Sequence, residues 1–273
     1  MVGATKETAE TAGLVDGAAA SFLAVYEDTP RTDLVLVVPA FNEEASVASV
    51  VRSLPREVEG ITASVLVMDD GSRDNTAVEA REAGAMVCSL GTNVGQGVVL
   101  RLGYQLASER GARFIATADA DGQFDPAELP RLVAPILAGE ADFVNGSRRL
   151  GQNSQVDRVR RLGVVVFGRL LSALTGVRVT DPSNGLRVWR TEVTDTVQLR
   201  QAQYQTSELL IRTIAHGFAV KEVPASMYER SAGESKKGRN WLYGARFARV
   251  ILTTWWEERA RLGGFVLRSR ARR

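Results

Sequence analysis

Between residues 34 and 138, short apolar runs alternate with amphipathic stretches. The runs at 34–39, 64–68, 85–90 and 114–118 are each followed by a stretch with helical spacing, at 44–54, 75–83, 98–110 and 126–138. Continuous apolar runs buried on both faces, each leading into a helix, are the pattern of parallel βαβ units. Four such units make a nucleotide-binding type of α/β half. The rhythm then loosens: 142–146 and 220–223 read as strands, and 158–175, 206–216 and 240–261 as helices. The helix at 158–175 has Leu162, Val165, Val166, Leu170 and Leu174 on its apolar side. Residues 1–32 are rich in Ala, Thr, Gly and acid, with apolar character only from Phe22 to Tyr26, and read as a mobile arm with one short helix. Neither a linker nor an internal repeat interrupts 33–240, so one continuous catalytic domain is expected, followed by an aromatic helix and basic tail at 241–273.

In open α/β sheets ligands gather at the carboxyl ends of the strands, and here those ends are polar. The first run leads into Pro39-Ala40-Phe41-Asn42-Glu43-Glu44, the second into Asp69-Asp70-Gly71-Ser72 and the fourth into Asp119-Ala120-Asp121-Gly122-Gln123. Acidic loops converging on one edge repel one another unless a cation or hydrogen-bond donors lie between them. Asp119 and Asp121, one residue apart, point to the same side of an extended loop. With the amide oxygen of Gln123 they offer three hard ligands to Mg²⁺ or Mn²⁺. The plain structural alternatives are a capping turn before Pro126 and, for Asp69-Asp70-Gly71-Ser72, a turn and N-cap before the helix at Asn75. Asn93-x-Gly95-x-Gly97 opens a helix and either brings backbone amides to a phosphate or sugar or forms a tight turn needing positive φ. Leu100 breaks the dinucleotide fingerprint, and the chain has no Gly-Lys-Ser/Thr phosphate loop.

Composition narrows the chemistry. The 273 residues hold one Cys, Cys88, and one His, His216. An internal disulfide and a His/Cys zinc cluster are thereby excluded, and any metal must rest on oxygen. The net charge of +2 argues against a nucleic-acid binder. It is unevenly placed, because residues 259–273 hold six Arg and no acid. No apolar run reaches the roughly 18 residues needed to span a bilayer, and no secretory pattern is visible. A cytoplasmic protein is expected.

Taken together, Val37-Val38-Pro39-Ala40-Phe41-Asn42-Glu43-Glu44, Asp69-Asp70-Gly71-Ser72-Arg73-Asp74, Asn93-Val94-Gly95-Gln96-Gly97, Asp119-Ala120-Asp121-Gly122-Gln123, Gly146-Ser147-Arg148, Asp181-x-x-Asn184-Gly185-Leu186-Arg187 and Gly233-Glu234-Ser235-Lys236 occur in order. This set resembles glycosyltransferase family 2, and within it the dolichyl- and polyprenyl-phosphate sugar synthases, over residues 33–240. The resemblance implies a GT-A fold, with a Rossmann-like, mostly parallel sheet flanked by helices. It also implies a GDP- or UDP-hexose donor, a divalent metal, a polyprenyl phosphate acceptor and inversion at the anomeric carbon.

By the same resemblance, Pro39, Phe41 and Glu43, with Asp69 or Asp70, hold the nucleoside, and Asp119, Asp121 and Gln123 hold metal and diphosphate. Arg148, Arg230, Ser235 and Lys236 meet the acceptor phosphate, chemistry that suits Arg and Lys donors; a solvated basic loop is the alternative. Gln96 stands where relatives often have Lys, which removes a positive contact near the diphosphate or sugar. Asp181 and Glu208 are the candidates for orienting the sugar.

A phosphate monoester is already anionic and needs no base to attack the sugar C1, whereas a hydroxyl acceptor needs a carboxylate base. A family-2 enzyme with a hydroxyl acceptor, and more remotely a non-catalytic sugar- or lipid-binding relative, are the alternatives. Near the C-terminus Tyr243, Phe247, Ile251 and Trp255 recur every four residues beside Trp241, Val250 and Trp256, with Arg-rich sequence after them. This helix either lies at the inner face of a membrane, its tail on anionic headgroups, or packs on the core.

Overall fold

A computed structural model describes residues 2–151, 158–228 and 241–262. The described chain forms two compact units, the first ending at Gly122 and the second beginning at Gln123.

In the first unit the order is α1 (Val2–Val25), β1 (Leu34–Ala40), α2 (Val47–Ser53), β2 (Glu57–Val58), β3 (Ile61–Asp69), α3 (Thr76–Glu82), β4 (Met86–Ser89), α4 (Gln96–Glu109) and β5 (Phe114–Thr117). β3 pairs in parallel with β1 and β4, β1 pairs in parallel with β5, and the two-residue β2 joins β3 antiparallel. Leu34, Leu36, Val37, Val38, Leu66, Val67, Met68 and Ile115 are fully buried, as apolar strands covered on both faces must be. α4 lies close over the sheet at Gly103, where an added Cβ would meet Val37 Cγ1 at 2.6 Å.

The N-terminal arm differs from the sequence reading. It is one long helix, and at its C-terminal end it is anchored. Phe22 is 2% exposed, the Tyr26 hydroxyl accepts from Val87 N of β4 at 3.0 Å, and the Arg110 guanidinium donates to the carbonyls of Tyr26 and Thr29 at 2.6 and 2.8 Å. Small residues let the helix approach the sheet edge: the Cys88 thiol lies 3.8 Å from the Ala18 carbonyl. Burial pushes that thiol up to about 11, the carboxylate of Asp69 adding to the rise, so it stays protonated and unreactive at neutral pH.

In the second unit, a 3₁₀ turn at Pro126–Glu128 leads into α5 (Leu129–Leu137). Then follow β6 (Phe143–Ser147), α6 (Arg158–Thr175), β7 (Arg187–Arg190), α7 (Thr191–Thr196), α8 (Gln205–Ala215), β8 (Val220–Pro224) and α9 (Trp241–Leu262). β6 is central, antiparallel to β7 and parallel to β8. The four-residue β7, which begins at the last residue of the Asp181 to Arg187 motif, was not read from the sequence.

The aromatic stripe of α9 packs inward. Phe247 and Ile251 are 2% and 0% exposed, Phe247 meets Phe167 of α6 at 4.7 Å between ring centroids, and the Trp255 indole donates to the Leu174 carbonyl. The side chains of Trp241 and Tyr243 lie outside those described. Leu252 and Trp256 stay exposed on α9, as do Leu162 and Val166 on α6. Among the described residues, no helix is long and apolar enough to cross a membrane.

Candidate active site

The parallel register sets Ala40 of β1 beside Asp69 of β3, and Val37 of β1 beside Thr117 of β5. The three polar loops of the first unit therefore leave one sheet edge together, as the strand-end pattern predicts.

Two of them are stitched to each other. Asn42, in the left-handed region at φ 51°, donates its N–H to Ser72 Oγ and accepts from Arg73 N through Oδ1, both at 2.9 Å. Glu43 N donates to Thr76 Oγ1 at 2.8 Å, and Glu44 accepts from Asn75 N. Burial works to raise Asp74, but hydrogen bonds from Thr76 and from Glu44 N outweigh it and hold the carboxyl below its ordinary range. The loop that presents Pro39, Phe41 and Glu43, all half-buried, is thus held in place by the Asp69 to Thr76 turn.

Asp69 and Asp70 are both buried, and the geometry separates their tasks. Asp69 Oδ1 accepts from Ser72 N at 3.0 Å, closing the expected turn. Asp70 spends both oxygens on the glycine turn: Oδ1 accepts from Val94 N at 2.7 Å and Oδ2 from Gly95 N at 3.1 Å. Burial pushes the Asp70 carboxyl above the usual range, the two amides pull against it, and the charge of Asp69 adds to the rise. Gly71 and Gly95 have φ of 71° and 98°, and a Cβ on Gly71 would lie 2.4 Å from the Thr92 carbonyl carbon. Both positions therefore require glycine. Gln96, the first residue of α4, is exposed at that helix N-terminus.

Asp119 and Asp121 follow β5, the first half-buried and the second 7% exposed. Gln123, the first residue of the second unit, is 6% exposed; its Nε2 donates to the Tyr228 carbonyl at 3.0 Å, and Tyr228 N donates back to its carbonyl. An amide coordinates a cation through its oxygen, not through its nitrogen. The donor set, two carboxylates and one amide oxygen, fits a hard divalent ion such as Mg²⁺ or Mn²⁺. Among the described residues no three acidic, His or Cys side chains gather in a metal cluster.

In the second unit Arg148 follows β6. Its Nε and Nη2 grip Asp181 at 2.6 and 2.7 Å, and its backbone N–H donates to the same carboxylate at 3.1 Å. Nη1 lies 3.5 Å from the Met227 sulfur. Burial works to raise Asp181, but the hydrogen bonds and charge of Arg148 outweigh it and hold the carboxyl below its ordinary range. The stability this carboxylate contributes is thus present above its unfolded pKa, roughly 3.9, and lost as the pH falls through its lower folded value.

Asp181, one of the two candidates for orienting the sugar, is fully buried with both carboxylate oxygens on Arg148. The rest of its motif is bonded within the fold. Asn184 Nδ2 donates to the Gly146 carbonyl at 2.6 Å, and Arg187 bonds the carbonyls of Asn184, Pro182 and Thr206.

Glu208 is the other candidate for orienting the sugar. It is fully buried and accepts from Arg200 N, Gln201 N and Arg212 Nε at 2.7, 2.9 and 3.0 Å. It therefore braces the loop before α8 and pairs with a buried cation. Arg230, Ser235 and Lys236 lie outside the described residues. The segment holding them leaves from Tyr228, which is pinned to Gln123, and from Ser226, whose N–H donates to the Glu128 carboxylate at 2.8 Å. Sequence reasoning missed Glu128, Glu222 and Arg212; for Arg212 the available signal was its i,i+4 spacing from Glu208 on one helix.

The family model for glycosyl transferase family 2 matches residues 35–197. The chain belongs to that family. A dolichyl-phosphate hexose transferase of Haloferax volcanii is 34% identical to this glycosyltransferase over 84% of this chain and 97% of its own. An undecaprenyl-phosphate 4-deoxy-4-formamido-L-arabinose transferase of Aeromonas hydrophila is 30% identical over 82% of this chain and 69% of its own. Among solved structures, the glucosyl-3-phosphoglycerate synthase of Mycobacterium tuberculosis, with Mn²⁺, UDP and glucosyl-3-phosphoglycerate, superposes with a TM-score of 0.64 at 24% identity, covering 88% of this chain and 83% of that one. That likeness bears on the fold alone, which is the expected α/β GT-A arrangement.

Proposed function

We propose that this glycosyltransferase moves a hexose from a nucleotide-diphosphate sugar to a polyprenyl phosphate, with inversion at C1. The observation favouring a phosphate acceptor is the commitment of Asp181 and Glu208. Both carboxylates nominated beside the sugar are fully buried against arginine and backbone N–H groups, which leaves neither as a base for a hydroxyl. A phosphate monoester, mostly dianionic at pH 7, needs none. The names of the Haloferax and Aeromonas relatives support the same acceptor class.

In this reading Pro39, Phe41, Glu43 and Asp69 hold the nucleoside, Asp69 being the acid with one oxygen bonded only to its own turn. Asp70 acts through the turn it anchors, which ends at Gln96. Asp119, Asp121 and Gln123 hold a divalent ion that, when bound, neutralises charge on the departing diphosphate. Arg148, Arg230, Ser235 and Lys236 receive the acceptor phosphate and align one of its oxygens with C1.

The test is incubation with polyprenyl phosphate, a panel of GDP- and UDP-hexoses and Mg²⁺ or Mn²⁺, followed by mass spectrometry. A lipid product heavier by one anhydrohexose is expected, and the panel identifies base and sugar. Transfer to 3-phosphoglycerate or a glycan hydroxyl, with none to the lipid, overturns the acceptor assignment.

A cytoplasmic protein resting on the inner face of the membrane suits such an acceptor. Exposed Leu252 and Trp256, followed by Arg259 and the other five Arg of the tail, fit an anionic surface. At about 1 kcal/mol per headgroup-contacting cation, deleting residues 263–273 together with Trp256→Glu should weaken binding to anionic liposomes at least tenfold. Unchanged co-sedimentation removes the surface role.

A further inference from the structure

We propose that Glu222 is a positioning residue for Arg148, acting through Asp181. The proposal rests on the reading that Arg148 receives the acceptor phosphate.

Glu222 sits in the middle of β8, in register with Asn145 of β6. Its two oxygens accept four hydrogen bonds. Oε2 takes both Thr180 N and Thr180 Oγ1 at 2.7 Å; Oε1 takes Asn145 Nδ2 at 2.8 Å and Asp181 N at 3.2 Å. Asn145 Nδ2 also donates to the Asp181 carbonyl at 2.8 Å. The peptide N–H and the carbonyl of Asp181 are therefore both tied, through Glu222 and Asn145, to β6 and β8. From this fixed backbone the Asp181 side chain meets Arg148 in two parallel bonds.

The network is kept against a local penalty. Asn145 Oδ1 is buried without a partner, because both hydrogens of its amide are directed at Glu222 and Asp181. An unmade buried hydrogen bond is unfavourable, so the ring of bonds that orients Asn145 outweighs it. Both oxygens of Glu222 act as acceptors, since all four partners are donors. An amide at this position would set its own NH₂ against two of them. A buried arginine–carboxylate pair is also unusually sensitive to such a change, because its attraction offsets desolvation only when the geometry is held.

Glu222→Gln should lower kcat/KM for the lipid phosphate by roughly ten- to a hundredfold, the usual effect of losing an outer-shell partner, with the donor KM changed less than about twofold. The second readout needs no acceptor. In ¹⁵N NMR of the wild type, the Arg148 Nε–H resonance should exchange slowly with water; in Glu222→Gln it should shift and exchange at least tenfold faster. If Glu222→Gln does not fold, Thr180→Val, which removes one of the four donors, should move the same resonance in the same direction by less. An unchanged Nε–H signal in the folded variant, or equal losses for donor and acceptor, overturns the proposal. Absence of lipid transfer by the wild type overturns the acceptor reading instead, and the NMR result still decides whether Glu222 positions Arg148.

Discussion

Asp121→Ala is expected to lower glycosyl transfer by about a thousandfold, about 4 kcal/mol of transition-state stabilisation, while the protein stays folded. Asp121 is 7% exposed, follows directly from a strand end and shares its short loop with Asp119, ahead of an amide whose nitrogen is already committed. Charge builds on the diphosphate as it leaves, and fixed opposite charge at that point is the largest contribution such a site can make. Removing one of two carboxylates removes half of the anionic ligand charge. Its removal should not unfold the chain, because it also relieves repulsion among acids at the strand ends. Mn²⁺ titration by calorimetry and a thermal melt check both halves. Turnover within tenfold of wild type, or Mn²⁺ binding unchanged, would remove Asp121 from the metal site.

Arg212→Ala should give the largest loss of stability, about 3–5 kcal/mol, the usual effect of stripping one partner from a buried ion pair. Arg212 is 2% exposed between Glu208 at 0% and Glu258 at 1%, with Glu257 completing the group from the surface. Burial works to lower its pKa, yet the charge of Glu208, its hydrogen bonds to Glu257 and Glu208 and the charge of Glu258 raise it, so it stays charged. Alanine would leave two carboxylates facing one another inside the contact between α8 and α9. Glu258 Oε2 and Thr254 Oγ1 are already buried without hydrogen-bond partners there. Urea unfolding measures the loss, and Arg212→Ala with Glu258→Ala should lose less than the two single changes added together. A single-variant loss under 1 kcal/mol would mean that the cluster is solvated.

The strands were legible because parallel strands covered on both faces must be apolar along their whole length. Their helices followed from the change of period, and the strand-end acids from the loops those strands leave. The sequence could not show which partner a carboxylate meets. Asp70, Asp181 and Glu208 look like ligand-facing acids, but their partners lie 24, 33 and 4 residues away, respectively a glycine turn, Arg148 and Arg212. Glu222 was invisible for the same reason, being one of two adjacent charges in a short strand until β6 and residues 180–181 are laid against it. The stripe on α9 illustrates a related ambiguity, since packing on α6 and lying on a bilayer ask for the same residues. Only burial tells that Phe247 and Ile251 face inward while Trp256 does not.

α1 has no part in the chemistry proposed here, yet its last turns lie along β4, whose one strand partner among the described residues is β3. An uncovered strand edge recruits strands from other molecules. The Tyr26 hydroxyl takes the Val87 N–H that would otherwise start such a ladder. The segment that looks most dispensable in the sequence thus covers a strand edge, and versions of the enzyme that lack only residues 1–32 should be the ones that fail to stay in solution.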